Sequence, residues 1–317
     1  HGSIRRQRQM CIRDRFKTTK FGLYTNSGAQ REVFSVQMSR FFNDGEGAFS
    51  IGYTHQNIDM ICSMQSSTSH SNYGKCPGSD FQYRPASRSI YETEHRLFAT
   101  LSSTHYFFGP ESPTTFNLFF ERKSGLPGTL TFDTYSSPGR YQTQAFGHER
   151  RTNDDNAQLL YIPSGVDDPL VCFVSCTSPD LAVANEILDL LYNTYGLANY
   201  AGQIVPPGVF EFPYQTTLDL KITQVLPGFR DDDEFVISLG IENLLNLLDD
   251  NEGEIFYGDF TGKIPVLDFQ LTSDLSRYIY GNSRGADYAF RYNPNDPYDL
   301  SKSAVNSIWR AQLGFTY

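Results

Sequence analysis

Alternation of apolar and polar side chains at a period of two is the feature that most constrains this fold. Five segments carry it: Val33–Phe42, Ala48–Gln56, Thr114–Arg122, Thr216–Gln224 and Ser307–Tyr317. Successive side chains of an extended strand point to opposite faces, so each segment predicts a strand with one apolar and one polar face. Two less regular segments, His95–Phe108 and Glu234–Leu245, are predicted strands as well. The sequence therefore predicts an all-β fold.

The connections between these strands fall into two lengths. Short ones with turn residues are Asn43–Gly47 and Gly109–Pro113, and long polar ones are Ser66–Arg88, Ser136–Pro213 and Gly281–Ser303. Short turns alternating with long loops are typical of a transmembrane barrel, whereas a soluble sandwich more often has short loops at both ends. We therefore predict an antiparallel transmembrane β-barrel with long loops.

Composition agrees with this prediction. No stretch of eighteen apolar residues occurs in the 317-residue chain, which excludes an α-helical span. A barrel strand turns only every second side chain to lipid, so its mean hydropathy stays low. The net charge of −10 argues against a nucleic-acid partner, because phosphate binding needs a basic face.

The alternation also assigns side chains to the two sides of the predicted barrel wall. Asp219, Lys221 and Thr223 are predicted to face the lumen, and the intervening Leu218, Leu220 and Ile222 to face lipid. In the final strand, one face carries Trp309, Ala311, Leu313, Phe315 and Tyr317.

The last strand of such a barrel is expected to end at the periplasmic side. Counting backward from it, Gly281–Ser303 is predicted to be external, Leu247–Lys263 periplasmic and Leu226–Asp233 external. The same count places Ser136–Pro213 at the periplasmic side, which conflicts with the length of that segment.

One short helix is predicted inside the longest loop. Ser178, Pro179 and Asp180 form a helix-start signal, with Ser178 as the N-cap. Apolar residues then recur at helical spacing, at Val183, Ile187, Leu190 and Leu191. We expect this helix to pack against its own loop.

Residue types in a recognised catalytic arrangement do not stand out in the sequence. It has no His-Glu-x-x-His, and we predict that the protein is not an enzyme and has no cofactor. Three acidic clusters, Asn153–Asn156, Asp231–Asp233 and Asp249–Glu252, could offer oxygen ligands to Ca²⁺, but none matches the EF-hand pattern. Solvated turns are the favoured interpretation.

Four cysteines form two local pairs, Cys62 with Cys76 and Cys172 with Cys176. Neither spacing fits a zinc site. In an exported protein both pairs suit disulfides within loops, with free cysteines as the alternative.

The first fifteen residues, HGSIRRQRQMCIRDR, do not resemble a secretory signal. They resemble a translated sequencing-adapter peptide, so we expect residues 1–15 to be non-native and residues 16–317 to be the C-terminal part of a longer protein.

The last third of the chain resembles the C-terminal barrel of TonB-dependent outer-membrane transporters, in particular the Oar-like branch. The segments that carry the resemblance are Leu218–Phe229, Ile237–Gly253 and Ile308–Tyr317, with a weaker match at Leu159–Gly165. Glu242–Leu244 is similar to the Asn-Leu-Phe strand end of these transporters, with Leu245 in place of the aromatic residue.

This resemblance implies a 22-stranded barrel in the outer membrane of a Gram-negative cell, filled by an N-terminal plug and energised by the TonB complex through an N-terminal segment. Such a barrel needs well over ~400 residues, so this chain would form part of the wall and the external loops. The implied partners are outer-membrane lipid, the TonB complex and an unidentified transported substrate. The resemblance also implies that the terminal aromatic strand, with Trp309, Leu313, Phe315 and Tyr317, is the signal read by the barrel assembly machinery.

Two other interpretations stay open from the sequence. One is an outer-membrane porin or surface adhesin without a plug. The other is a secreted β-rich hydrolase, which would not expose an apolar aromatic band.

Overall fold

The computed structural model describes residues 28–61, 76–78, 85–132, 158–230, 233–257, 262–267, 269–272, 276–281 and 301–317. Segment 1–15 lies outside these residues. Within them, no helix is long and apolar enough to cross a membrane.

Strands make up most of the regular structure. In chain order they are β1 (Gln30–Phe42), β2 (Gly47–Met60), β3 (Ser87–Arg88), β4 (His95–His105), β5 (Thr114–Lys123), β6 (Pro127–Phe132), β7 (Tyr161–Ile162), β8 (Val171–Phe173), β9 (Gln203–Ile204), β10 (Phe210–Glu211), β11 (Gln215–Pro227), β12 (Glu234–Glu242), β13 (Phe256–Tyr257), β14 (Lys263–Leu267), β15 (Phe269–Leu271), β16 (Tyr278–Tyr280), β17 (Ser301–Lys302) and β18 (Arg310–Thr316).

Helical segments are few and short. They are α1 (Leu181–Asp189), which runs into a π-helical turn at Leu190–Thr194, α2 (Leu244–Leu248), α3 (Ala304–Ser307), and 3-10 turns at Asn43–Gly45 and Ala198–Tyr200. The described part of the chain is thus mostly β, as predicted, and it holds two short α-helices, α2 and α3, besides the single helix that was expected.

A large antiparallel sheet dominates the fold. Its seven main strands follow one another in the order β1-β2-β4-β5-β11-β12-β18, and β3 pairs with the end of β2. These are the seven strands that the alternation predicts, so their existence is confirmed. Among the described residues the sheet is open: β1 pairs only with β2, and β18 only with β12.

The connections sort by length onto the two ends of this sheet. Short ones join β1 to β2, β4 to β5 and β11 to β12, and the chain terminus Tyr317 lies at that same end. The long connections, after β2, β5 and β12, all leave from the opposite end. The predicted sides of two connections were therefore wrong. Leu226–Asp233 lies at the same end of the sheet as Tyr317. Ser136–Pro213 leaves from the same end as Gly281–Ser303.

The error has a simple cause. The count assumed that a strand of the large sheet lies between Lys263 and Gly281, but β14 and β16 belong to small separate sheets. The described residues between Asn243 and Trp309 contribute no strand to the large sheet and belong to the connection between β12 and β18.

Two long connections pack together into one body at this end of the sheet. Strand β14, from the connection after β12, pairs in parallel with β6, which follows β5. Strand β16 likewise pairs in parallel with β8. The segment predicted as an irregular polar loop thus contributes to a packed unit that we call the loop body, the described residues within 124–214 and 243–309.

The main hydrophobic core lies inside the loop body. Its largest fully buried side chains include Tyr280, Phe132, Phe173, Leu160 and Ile162. Helix α1 contributes Val183, Ala184 and Ile187, followed by Leu190 and Leu191. The predicted packing of the helix on its own loop is confirmed.

The start of α1 differs from the prediction by two residues. Asp180, rather than Ser178, is the N-cap, and its carboxylate accepts hydrogen bonds from the backbone N–H groups of Ala182 and Val183. An aspartate at this position satisfies N–H groups that have no partner within the helix.

Strand β12 ends earlier than predicted because of Asn243. This buried residue adopts the left-handed conformation with φ 54°, which asparagine tolerates better than most residues, and α2 begins directly after it. Its side chain donates hydrogen bonds to the carbonyls of Gly253 and Ser307, both at 2.9 Å. A Cβ at Gly253 would lie 2.1 Å from the Asn243 side-chain oxygen, so a glycine is required there.

The last strand also starts later than predicted, at Arg310, because α3 occupies Ala304–Ser307.

Disulfide chemistry is present in the loop body. Cys172 and Cys176 form a disulfide, and Cys76 is also disulfide-bonded. Cys62 lies outside the described residues.

Of the acidic clusters, only Asp249–Glu252 is fully described: the Asp249 carboxylate accepts hydrogen bonds from the backbone and side chain of Asn251 in an exposed turn.

A buried carboxylate organises the turn before β8. Asp168 accepts hydrogen bonds from the backbone N–H groups of Ser164 and Leu170, at 2.6 and 2.8 Å, and from the Tyr161 hydroxyl at 3.1 Å. Burial raises the pKa of Asp168, but these hydrogen bonds outweigh it, so the pKa lies below its ordinary value. Burial and the Asp168 charge raise the pKa of Tyr161 to about 12.

We therefore expect Asp168→Asn to weaken the loop body in a pH-dependent way. A depressed carboxyl pKa stabilises the fold above the unfolded value of about 3.9, and this contribution is lost as the pH falls through the folded value. At pH 7 the substitution should lower the free energy of local opening by about 1.5–3 kcal/mol, the range for hydrogen bonds to a charged group. Hydrogen exchange of the 158–173 segment, compared with the wild type at each pH, measures this difference. A difference that does not shrink below about pH 4 would contradict the assignment to the carboxylate charge.

Candidate functional site

The two faces of the large sheet differ in chemistry across all seven strands. Directly paired residues of neighbouring strands share a face, so the register assigns every side chain. One face, here called the apolar face, carries three apolar residues from each strand: Phe34, Val36, Met38, Phe49, Ile51, Tyr53, Leu97, Ala99, Leu101, Phe116, Leu118, Phe120, Leu218, Leu220, Ile222, Ile237, Leu239, Ile241, Ala311, Leu313 and Phe315.

None of these side chains is buried. On the edge strands Phe34 and Phe315 are each 61% exposed, and in the interior of the sheet Ile51 and Leu101 are still 41% and 42% exposed. The hydrophobic core contains no residue of the apolar face, because it is built from the loop body. Soluble monomers rarely expose contiguous apolar patches larger than a few hundred Å².

The opposite face, here called the polar face, is concave. Side chains of six strands line one open depression of about 620 Å³, including Thr100, Ser102, Asn117, Asp219 and Gln312. Hydroxyl side chains at the β1–β2 side continue the surface, with Ser39 and Ser50 hydrogen-bonded at 2.9 Å. Phe41, Phe98 and Phe119 are aromatic exceptions on this face, and Phe98 fills the space beside Gly52.

Charges of both signs lie on the polar face. Glu121 accepts a hydrogen bond from Arg96 at 2.7 Å and forms an ion pair with Lys123 at 3.2 Å. Asp219 accepts a hydrogen bond from the backbone N–H of Asn243 at 2.8 Å, which ties β11 to the strand end described above. This surface offers hydrogen-bond donors and acceptors to water or to a polar group placed against it.

Residues assigned by the sequence to opposite sides of a barrel wall do lie on opposite faces of the large sheet. Asp219, Lys221 and Thr223 lie on the polar face, while Leu218, Leu220 and Ile222 lie on the apolar face. Whether the polar face borders a lumen stays a prediction. Sequence reasoning did not single out Arg96 and Glu121, because their pairing joins two strands whose register is set only by the fold.

Aromatic side chains are exposed near both ends of the apolar face. At the end with the short connections these are Tyr106, Phe107, Phe108, Phe229 and Tyr317. The Tyr317 hydroxyl donates a hydrogen bond to Asp233 at 2.9 Å, and its ring lies 6.0 Å from that of Phe229. Trp309, the single tryptophan of the chain, lies before β18 at the other end and is 43% exposed. Eight residue steps of about 3.3 Å separate Trp309 from Tyr317, so about 26 Å of strand lies between them.

Comparisons of the chain with protein-family models, with curated proteins and with solved structures give no match.

Proposed function

We propose that this chain forms part of the wall of an outer-membrane β-barrel of the TonB-dependent transporter type, and that it has no enzymatic activity. The observation that carries the proposal is the orientation of the sheet, which leaves its apolar face unburied and curves around its polar face. A soluble sheet does the reverse, since burial of apolar surface is the main driving force of folding. In a membrane the apolar face contacts lipid and the polar face contacts water or a plug.

Strand dimensions support the proposal. A tilted transmembrane strand needs about 9–11 residues, and β4, β5 and β12 have 11, 10 and 9 residues. Exposed aromatic residues at both ends of the apolar face suit the two membrane interfaces, where aromatic girdles flank the hydrocarbon. The end of the sheet that carries Tyr317 and the short connections suits the periplasmic side, and the loop body at the other end suits the cell exterior.

The free edges of β1 and β18 define what the complete protein must add. An unpaired strand edge is costly in hydrocarbon, so a membrane-embedded sheet closes on itself. We propose that further strands of the same protein close this wall, that a plug fills the barrel, and that the TonB complex drives passage of a substrate along the polar face. Outer-membrane lipid and the barrel assembly machinery are the other proposed partners, and nucleic acid is not one.

One observation favours a second candidate. The loop body has a hydrophobic core of its own and two connections that pair strand to strand. Such a rigid external unit also suits a surface adhesin that needs no plug. The complete reading frame distinguishes the two candidates, because only the transporter requires a plug domain.

Tryptophan fluorescence can test the membrane orientation because the chain has one tryptophan. In a Trp309→Phe background, Ile222→Trp and Thr223→Trp place the probe on adjacent residues of β11 that lie on opposite faces. In vesicles of brominated phosphatidylcholine we expect strong quenching at residue 222 and weak quenching at residue 223. Equal quenching at the two positions would contradict the proposal, as would strong quenching at residue 223 alone.

A further inference from the structure

Two histidines and a glutamate converge where β2 ends and β4 begins. One ligand atom from each of His55, Glu94 and His95 lies within 4.8 Å of the other two. The Nε2 atom of His95 lies 3.4 Å from Oε1 of Glu94. Two ligands of a tetrahedral zinc ion are separated by about 3.3 Å when their bonds are about 2.0–2.1 Å long. The ligand atoms of the cluster lie up to 4.8 Å apart, about 1.5 Å more than this separation, and side-chain rotation can close that difference.

Hydrogen bonds already orient both imidazole rings. Nδ1 of His55 lies 3.1 Å from the carbonyl oxygen of Glu94, and Nδ1 of His95 lies 2.8 Å from the Tyr53 hydroxyl. The rings are stacked with their centroids 5.0 Å apart. The Glu94 carbonyl oxygen can only accept, so Nδ1 of His55 donates to it and Nε2 of His55 keeps its lone pair. The Tyr53 hydroxyl can accept from Nδ1 of His95 in the same way, which is the usual outer-shell arrangement of metal-binding histidines.

An arginine orients the carboxylate of the cluster. Arg88 donates a hydrogen bond to Oε2 of Glu94 at 2.7 Å, which leaves Oε1 directed toward His95. The same guanidinium pairs with Glu92 at 2.6 Å and lies 3.7 Å from Glu211. Three carboxylates therefore surround one guanidinium, and a cation beside them meets an excess of negative charge.

We propose that His55, Glu94 and His95 bind a divalent transition-metal ion, with Zn²⁺ as the reference ligand. Two imidazoles with one carboxylate are a donor set for zinc, copper or nickel, whereas Ca²⁺ and Mg²⁺ prefer oxygen ligands alone. The side chains of His95 and Glu94 are 40% and 33% exposed, so the ion has access and a remaining position for water. Because β2 and β4 contribute different ligands, bound metal cross-links two adjacent strands at the end that bears the loop body. This inference does not rest on the proposed membrane function.

Zn²⁺ titration of the chelator-treated full chain in detergent, in competition with a chromophoric chelator, tests the site. We expect His55→Ala and His95→Ala each to lower the affinity of one Zn²⁺ site by more than about 100-fold, and Glu94→Gln to weaken it as well. Tyr53→Phe should lower it by about tenfold, the effect of losing an outer-shell partner. With Cu²⁺ instead, electron paramagnetic resonance should show coupling to two imidazole nitrogens, and to one in His95→Ala.

His105→Ala is the matched control, because His105 also lies in β4 and hydrogen-bonds to a hydroxyl, that of Ser103, but belongs to the other end of the strand. Substitutions of His70 and His148 control for binding elsewhere in the chain. Circular dichroism and protease resistance check that each variant is folded, and His55→Gln replaces His55→Ala if the alanine variant is not. Zn²⁺ affinity unchanged in the folded His55 and His95 variants, or lowered equally by His105→Ala, would overturn the proposal.

Discussion

Leu220→Arg is expected to abolish most assembly of the protein into the membrane. Leu220 lies near the middle of β11, with Leu118 and Ile241 directly opposite on the neighbouring strands of the apolar face. An arginine near the bilayer midplane of a barrel's lipid face costs about 2–4 kcal/mol. That range corresponds to a change of about 30- to 1000-fold in the ratio of folded to unfolded protein.

Thr223→Arg is the control on the same strand. Thr223 lies on the polar face opposite Thr115 and Ser238, where the arginine remains in contact with water. We expect this variant to assemble close to normal levels. The measurement is the fraction of heat-modifiable, urea-resistant protein in outer-membrane preparations of the full-length gene. Equal tolerance of both substitutions would remove the argument from the apolar face.

The seven strands and their two faces could be predicted because each depends on a local pattern. In Thr216–Gln224, for example, every second side chain is apolar, and any extended conformation sends Leu220 and Lys221 to opposite sides. The pattern fixes the faces without reference to which strands are neighbours. Strand ends were less accurate, since the end of β12 depends on the hydrogen bonds of Asn243 to residues 10 and 64 positions away.

The loop body and the histidine cluster could not be predicted, because both depend on contacts between distant segments. Strands such as β14 and β16 are too short for periodicity to reveal, and each pairs with a partner more than 100 residues away. His55 and His95 are 40 residues apart and meet only through the register of β2 with β4. His55 is one of six histidines dispersed along the chain, and adjacent Glu94 and His95 at a strand start have no recognised metal-binding spacing.

The C-terminal strand carries the second large prediction. In β18, Phe315 lies opposite Ile237 and Leu313 opposite Leu239, so the last residues complete the apolar face at the short-connection end. Tyr317 adds a ring beside Phe229 and Phe235 and a hydrogen bond to Asp233. Deletion of Phe315–Tyr317 removes two aromatic side chains from this end, and it leaves Val236 and Ile237 without partners in the β12–β18 pair.

We expect this deletion to reduce heat-modifiable protein in the outer membrane by at least about tenfold, since backbone groups in hydrocarbon cost several kcal/mol each when unpaired. Tyr317→Phe is the matched control: it keeps the ring and loses only an exposed hydrogen bond, which water can replace. It should assemble nearly as well as the wild type, which would assign the effect of the deletion to strand pairing and aromatic surface. Normal assembly of the deletion would show that β18 is not part of a membrane-embedded wall. A defect in Tyr317→Phe as large as that of the deletion would instead assign assembly to the contact between Tyr317 and Asp233.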